Sequence, residues 1–234
     1  MRFFVDNRFF EQLPDVCFGI VVAKGLDNHG ESLLIDRLLQ EQVALVRLRF
    51  AGVNIKESPE ISCYREAFKK LGINPNKFMS SVEAMVTRIS KGGELPSINK
   101  VVNLVNALSL KYILPMGAHD VNRLSGSLGV KVASGTERFV PLGQVDPEPV
   151  EPGEIVYADE GEVRTRRWIW RQGDGAKVTQ DSTNIFFPID GFAGVNGEAV
   201  LAARNELADL LAEVFGCRVK TGWIDSRSRE EELG

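Results

Sequence analysis

Two hydrophobic rhythms divide the chain near residue 115. Short apolar runs at 3–5 and 18–23 open the sequence with strand character, the second closed by Lys24-Gly25-Leu26-Asp27. Leu33, Leu34, Leu38, Leu39, Val43 and Val46 then recur at helical spacing, predicting a helix over about residues 31–50. Ser58-Pro59-Glu60 is a helix start with proline in the first turn, and Gly72 ends that helix. Ser80 and Glu83 stand at capping-box spacing and open a third helix that stops at Gly92-Gly93. Ser97 precedes a fourth, whose apolar side is Ile98, Val101, Val102, Leu104, Val105 and Leu108.

Beyond Pro115 the pattern turns to Gly-bounded stretches rich in Val, Ile, Phe and Trp. Segments 128–133, 138–142, 155–158, 163–171 and 184–189 are predicted strands, with a proline-acidic loop at 145–152. Asn196 is the expected cap of an amphipathic helix running to Phe215, Gly216 its left-handed C-terminal residue, and 217–224 a last strand. Residues 226–234 look frayed and polar. Helices first and strands later predict an α+β fold, largely antiparallel. Gly191, Gly194 and Gly197 invite a dinucleotide-binding reading, but their GxxGxxG spacing is a turn rather than the GxGxxG fingerprint.

Hydrophobic and charged contents of 44% and 26% are those of an ordinary globular protein. The net charge of −4 changes the picture, because a non-specific duplex binder needs a strongly basic field, so any RNA contact must be local. No apolar run reaches the roughly 20 residues that span a bilayer, and the first residues lack the pattern of a secretory signal. Cys17, Cys63 and Cys217 form no CxxC, which predicts buried thiols in a reducing cytoplasm rather than disulfides or a zinc site. The sequence has no HExxH, GxSxG or P-loop.

His29 lies in a polar loop and is expected to be solvated. His119, beside Asp120, is either a general base oriented by that carboxylate or a plain loop histidine. Asn103 and Asn106, one turn apart on an apolar helix, either fasten the loop 115–120 or face a ligand. The densest signal is Arg164-Thr165-Arg166-Arg167-Trp168-Ile169-Trp170-Arg171-Gln172. Read as one strand, it puts Arg164, Arg166, Trp168 and Trp170 on one face and Arg167, Ile169 and Arg171 on the other. Such a strip is either a stacking platform for bases and phosphate or a core tryptophan pair with arginines bound to acids.

Ile98-Asn99-Lys100-Val101-Val102-Asn103-Leu104-Val105-Asn106, then Pro115-Met116-Gly117-Ala118-His119-Asp120, resembles "INNVVDxTN…QPxHAFD" of the B3/B4 domain of the phenylalanyl-tRNA synthetase β subunit. Further similarity lies in Gly126 to Ala133, Gly153 to Asp159 and Val178 to Phe186. Tyr64-Arg65-Glu66-Ala67-Phe68, Gly72-Ile73-Asn74-Pro75, Leu95-Pro96-Ser97-Ile98-Asn99 and the Arg-Trp segment are similar to free-standing members of that superfamily.

The resemblance implies a mostly antiparallel, β-sandwich-like core flanked by helices, formed by residues 1–234 as one domain, with its helical part up to about 115. It also implies a pocket at the B3/B4 junction that edits misacylated tRNA by ester hydrolysis. The family's editing histidine falls on Gly117 here, with His119 two places on, and the editing glutamate falls near Gln172 and Asp174. The expectation is therefore a trans-acting hydrolase of misacylated tRNA, or a non-catalytic binding module, but not a complete synthetase. His119 or Asp120 would polarise water. Asn103, Asn106, Gly117, Ala118, Trp168, Trp170 and Gln172 would shape the pocket. Arg166, Arg167 and Arg171 would meet phosphate or carboxylate. The expected partner is the 3′ end of a tRNA or aminoacyl-tRNA, or a free amino acid. No metal, cofactor, membrane or DNA is expected.

Overall fold

In the computed structural model, which describes residues 1–233, the strand β2 (Val16–Lys24) organises everything else. Its side chains alternate between two buried worlds. Cys17, Val21 and Ala23 face helices α5 (Lys100–Tyr112) and α6 (Gly197–Phe215), whereas Phe18, Ile20 and Val22 face a second sheet. A strand covered on both faces must be apolar throughout, and residues 16–23 are all buried.

β2 lies in a four-stranded antiparallel sheet between β8 (Asn184–Phe192) and β9 (Arg218–Ile224), with β3 (His119–Asp120) on the far side of β8. Gly19 and Gly191 let α6 come close. A Cβ at either would stand 2.9 or 2.4 Å from the side chain of Val200. The turn expected at Gly191–Gly197 is found, but Asn196 does not cap the helix with its side chain. Its Oδ1 accepts from Phe192 N and its Nδ2 donates to the Tyr64 hydroxyl, fastening the strand end to α3 (Pro59–Lys70).

The second sheet has six strands in the order β10 (Glu230–Glu232), β1 (Arg2–Val5), β4 (Leu128–Val132), β5 (Ile155–Ala158), β6 (Val163–Arg166) and β7 (Arg171–Gln172). Only β1 and β4 run parallel. Phe3, Leu128, Val130 and Tyr157 of this sheet pack on Phe18, Ile20 and Phe186 of the other, so the fold is α+β with two facing, mainly antiparallel sheets. A separate helical cluster joins α2 (Leu33–Arg49), α4 (Ser81–Ser90) and α5.

Three predictions need correction. The tail is not frayed. Glu230–Glu232 pairs with β1, since an edge strand needs backbone partners rather than apolar side chains, while Gly234 lies outside the described residues. Segment 138–142 makes only isolated bridges, Phe139 being drawn inward as the core of a small cluster. The strand read over 163–171 stops at Arg166, because Arg167 and Trp168 take left-handed φ of 46° and 60°, after which the chain returns as β7. Elements that were not expected include β10, the two-residue strand β3 and the short helix α1 (Asn7–Gln12).

The capping box at Ser80 is half formed. Ser80 Oγ accepts from Glu83 N at 3.3 Å, but the Glu83 carboxylate turns away to the buried Arg65 guanidinium at 2.6 Å. Arg65 also donates to Pro75 O and Asn76 Oδ1, so a single arginine closes the loop between α3 and α4. Ser80→Ala is expected to lower unfolding free energy by about 1 kcal/mol through the lost cap, read as a shift of the urea midpoint with unchanged slope.

Candidate functional site

α5 ends at Ile113, whose φ of 53° turns the chain back on itself. Segment 115–120 then runs antiparallel to β8. Asp190 N donates to Pro115 O, Gly117 N to Pro188 O, and His119 pairs with Phe186. Extended backbone places Gly117 and His119 on one face. From the opposite sheet, the left-handed pair Arg167-Trp168 forces a tight reversal that swings the indole of Trp168 inward and leaves Trp170 half-buried at the rim. The two segments meet at a cavity of about 70 Å³ lined by Met116, Gly117, His119, Trp168, Trp170 and Gln172, with Tyr157 and Asp190 at its floor. The convergence expected of these segments is therefore present, although Trp168 and Trp170 do not share a strand face.

The sequence reading missed Asp190. It is 2% exposed, and its Oδ1 accepts from both the Tyr157 hydroxyl and Trp168 Nε1, each at 2.6 Å. Burial pushes its carboxyl up to about 7, against the opposing pull of those two donors. Among the described residues no lysine or arginine forms an ion pair with it. The only sequence signal was one acid inside an otherwise apolar strand.

His119 is equally buried, between the rings of Tyr157 and Phe186 at 5.9 and 6.3 Å. Desolvation, helped by the Arg164 charge, lowers its imidazole to about 4. Its Nδ1 is the one sealed side-chain polar atom without a hydrogen bond among the described residues. A Cβ built on Gly117 would stand 3.6 Å from His119 Nε2, so the imidazole borders the space into which a side chain at 117 would project.

The pattern of the B3/4 domain matches residues 63–216, well over half the chain. The chain belongs to the B3/4 domain family. It is similar to the phenylalanine–tRNA ligase β subunit of Idiomarina loihiensis, 27% identical over 205 residues that make up 80% of this chain and 24% of that subunit. The corresponding subunit of Chromobacterium violaceum is 26% identical over 212 residues, 86% of this chain and 26% of its own length. This B3/4 chain thus spans about a quarter of the length of those relatives. An N-terminal fragment of the phenylalanyl-tRNA synthetase β subunit from Pyrococcus horikoshii is similar in structure, with a TM-score of 0.48 and 16% identity over 93% of this chain and 49% of the fragment.

Several residues singled out in the sequence take other places in the B3/4 fold. Asp120 faces away from His119. Its carboxylate accepts from Ser182 Oγ and Asn122 N, so it closes a turn and does not orient the imidazole. Asn103 is remote from the 115–120 loop: its Nδ2 donates to Ser97 Oγ and Asp36 Oδ1, and its Oδ1 accepts from Ile98 N. Asn106 and Ala118 line a neighbouring hollow of about 180 Å³ that shares Met116, Gly117 and Gln172 with the first. Gln172 Nε2 donates to Ala118 O at 2.9 Å and so forms part of the wall between the two hollows.

The arginines are mostly committed. Arg166 is buried and meets Glu154 through Nε and Nη2 at 2.9 and 2.8 Å, and Arg171 pairs with Glu148. Arg167 lies 3.9 Å from the Phe78 ring centre and 4.8 Å from that of Trp170, as a cation between aromatic faces. The core alternative for that strip, buried tryptophan with arginines bound to acids, holds for Arg164, Arg166 and Trp168, which are ion-paired or sealed in the core. All three cysteines are free thiols; Cys17 and Cys217 are buried as expected, with burial pushing Cys17 up to about 12, whereas Cys63 is only half-buried. His29 is exposed but bridges Asp27 and Asp181. Among the described residues no cluster of three or more His, Cys, Asp or Glu is placed to hold a metal, and no helix is long and apolar enough to cross a membrane.

Proposed function

We propose that this B3/4 chain binds aminoacyl-tRNA and hydrolyses, in trans, the ester of misacylated tRNA in the cavity between Gly117-His119 and Trp168-Gln172. The supporting observation is that the two segments carrying the family resemblance meet at one polar-floored hollow between the sheets. An aminoacyl ester entering there would have its acyl end surrounded by Met116, Trp168 and Trp170 and its polar atoms facing His119 and Asp190. The imidazole of His119 is neutral at physiological pH and a weak base, so it would orient an attacking water by hydrogen bonding, with a terminal ribose hydroxyl free to assist. In this reading the whole of residues 1–234 acts as one cytoplasmic domain, and the 3′ end of tRNA is the partner.

The test is a deacylation panel of correctly and incorrectly charged tRNAs. At least one misacylated tRNA should lose its amino acid well above the buffer rate, and His119→Ala should slow that step by about 10²-fold, the low end for a positioned acid–base group. No hydrolysis above buffer with any member would end the editing reading. The lowered basicity of His119 and the ion-paired state of Arg166 and Arg171 favour a second reading, a module that binds an aminoacyl-tRNA or free amino acid without turnover. Saturable binding with no hydrolysis would select it.

A further inference from the structure

Asp190 has one occupied oxygen and one waiting. Oδ1 takes both protein donors, from Tyr157 and Trp168, while no hydrogen bond reaches Oδ2 among the described residues and Oδ2 is not among the sealed orphan atoms. Oδ2 is therefore the atom of this carboxylate left to face the cavity. A buried carboxylate without a counter-cation is unfavourable, and a cation delivered by a ligand would relieve it. The groups around Asp190 supply none. They are Tyr157 on β5, Tyr64 on α3 through the Asp190 backbone oxygen, Cys17 on β2, Trp168 on the turn, and His119, itself neutral.

Size narrows the ligand further. The cavity measures about 70 Å³, whereas one of about 150 Å³ is what seats a benzene ring. An α-carbon with its ammonium and a one- or two-atom side chain fits this space, while a phenyl or phenol ring would have to extend beyond it. The flanking surfaces of Met116, Trp168 and Pro188 suit an aliphatic group.

We propose that Asp190 is a specificity-determining residue whose Oδ2 receives the α-ammonium of a small aliphatic aminoacyl group, of the glycyl, alanyl or seryl class. The proposal rests on the aminoacyl-ester reading of this cavity and names its substrate class. Tyr157 and Trp168 act as positioning residues that fix the carboxylate for that contact.

The experiment follows the indole N–H signal of Trp168, which is bonded to Asp190, while the chain is titrated with L-alaninamide, lactamide or L-phenylalaninamide. Lactamide replaces the ammonium by a hydroxyl at nearly constant shape. L-alaninamide should shift the signal saturably, lactamide should bind at least about tenfold more weakly, and L-phenylalaninamide should leave it unmoved. Lowering the pH from 7.5 to 5.5 should weaken alaninamide by more than about tenfold, as the carboxyl takes a proton in place of the ligand's cation. Asp190→Asn, isosteric and able to keep both donors on its amide oxygen, should abolish the alaninamide effect. Should that variant fail to fold, Tyr157→Phe should move the pH midpoint of binding upward. Equal binding of lactamide, unaltered binding by Asp190→Asn, a strong phenylalaninamide shift, or no alaninamide shift would each overturn the proposal. A null deacylation panel with a positive alaninamide titration would remove the editing reading and leave this subsite standing.

Discussion

Trp168→Ala is expected to lower unfolding free energy by about 3–5 kcal/mol, the range for emptying a large aromatic from a packed interior. The indole has no exposed surface and touches four other aromatic rings, those of Phe9, Tyr64, Phe68 and Phe192, at centroid distances of 5.3 to 6.4 Å. The substitution would also take a donor from Asp190 and leave a left-handed backbone at a residue still carrying a Cβ. Trp168→Phe should recover about half of the loss, since it restores ring packing but not the N–H. Urea unfolding at constant pH measures both. A Trp168→Ala effect below about 1 kcal/mol would mean that the indole is not core at all.

Asp190 and His119 should give the protein two opposed and nearly cancelling pH dependences. In an unfolded chain an aspartate titrates at about 4 and a histidine at about 6.5. Folding moves Asp190 up to about 7 and His119 down to about 4. Between those limits the native state holds Asp190 protonated while the unfolded state has released that proton. Stability from this group thus falls as pH rises, by about 1.4 kcal/mol per unit. For His119 the unfolded state is the one that binds the extra proton, so stability from it rises with pH over about 4 to 6.5. Asp190→Asn removes the falling component. Relative to the parent, the variant should gain stability steadily from pH 4 and reach an advantage of about 4 kcal/mol by pH 8. His119→Gln should do the reverse, gaining most near pH 4 and least above 6.5. Urea midpoints taken across pH 4 to 8 test the pair, and parallel curves for variant and parent would refute the assignment.

What was legible in the sequence was mostly local. The helix after Ser97, the Pro59 start, the Ser80 cap and the αL glycine at 216 are fixed by neighbours a few residues away and are present, except that Asn99 rather than Ser97 borders the fourth helix, which starts at Lys100 and leaves Ile98 outside it and exposed. What escaped depends on distant pairings. β10 has no apolar pattern and exists because β1 offers an edge. Period-two alternation was the right rule for 163–166 and the wrong one beyond, since nothing in Arg167-Trp168 announces positive φ in residues that rarely take it. Asn103 read as a pocket residue because polar side chains on apolar helices attract that reading, whereas its partners Ser97 and Asp36 come from an adjacent turn and from α2.

One of the residues lining the cavity, Asp190, was hidden for the same reason. Asp190 sits in the middle of an apolar strand where one acid looks incidental, and its meaning comes only from Tyr157, 33 positions away, and Trp168, 22 positions away. Conversely, the His119–Asp120 pairing read from adjacency is not formed, because adjacent residues on a strand point to opposite faces.

The most direct measurement is a crystal structure of the chain with a non-hydrolysable 3′-alanylamino-adenosine, in which an amide replaces the aminoacyl ester. The acyl group should occupy the hollow between Gly117 and Trp168, its ammonium within hydrogen-bond distance of Asp190 Oδ2 and its carbonyl beside His119. An empty hollow at saturating ligand, or the adenosine seated on another face of the molecule, would contradict the account.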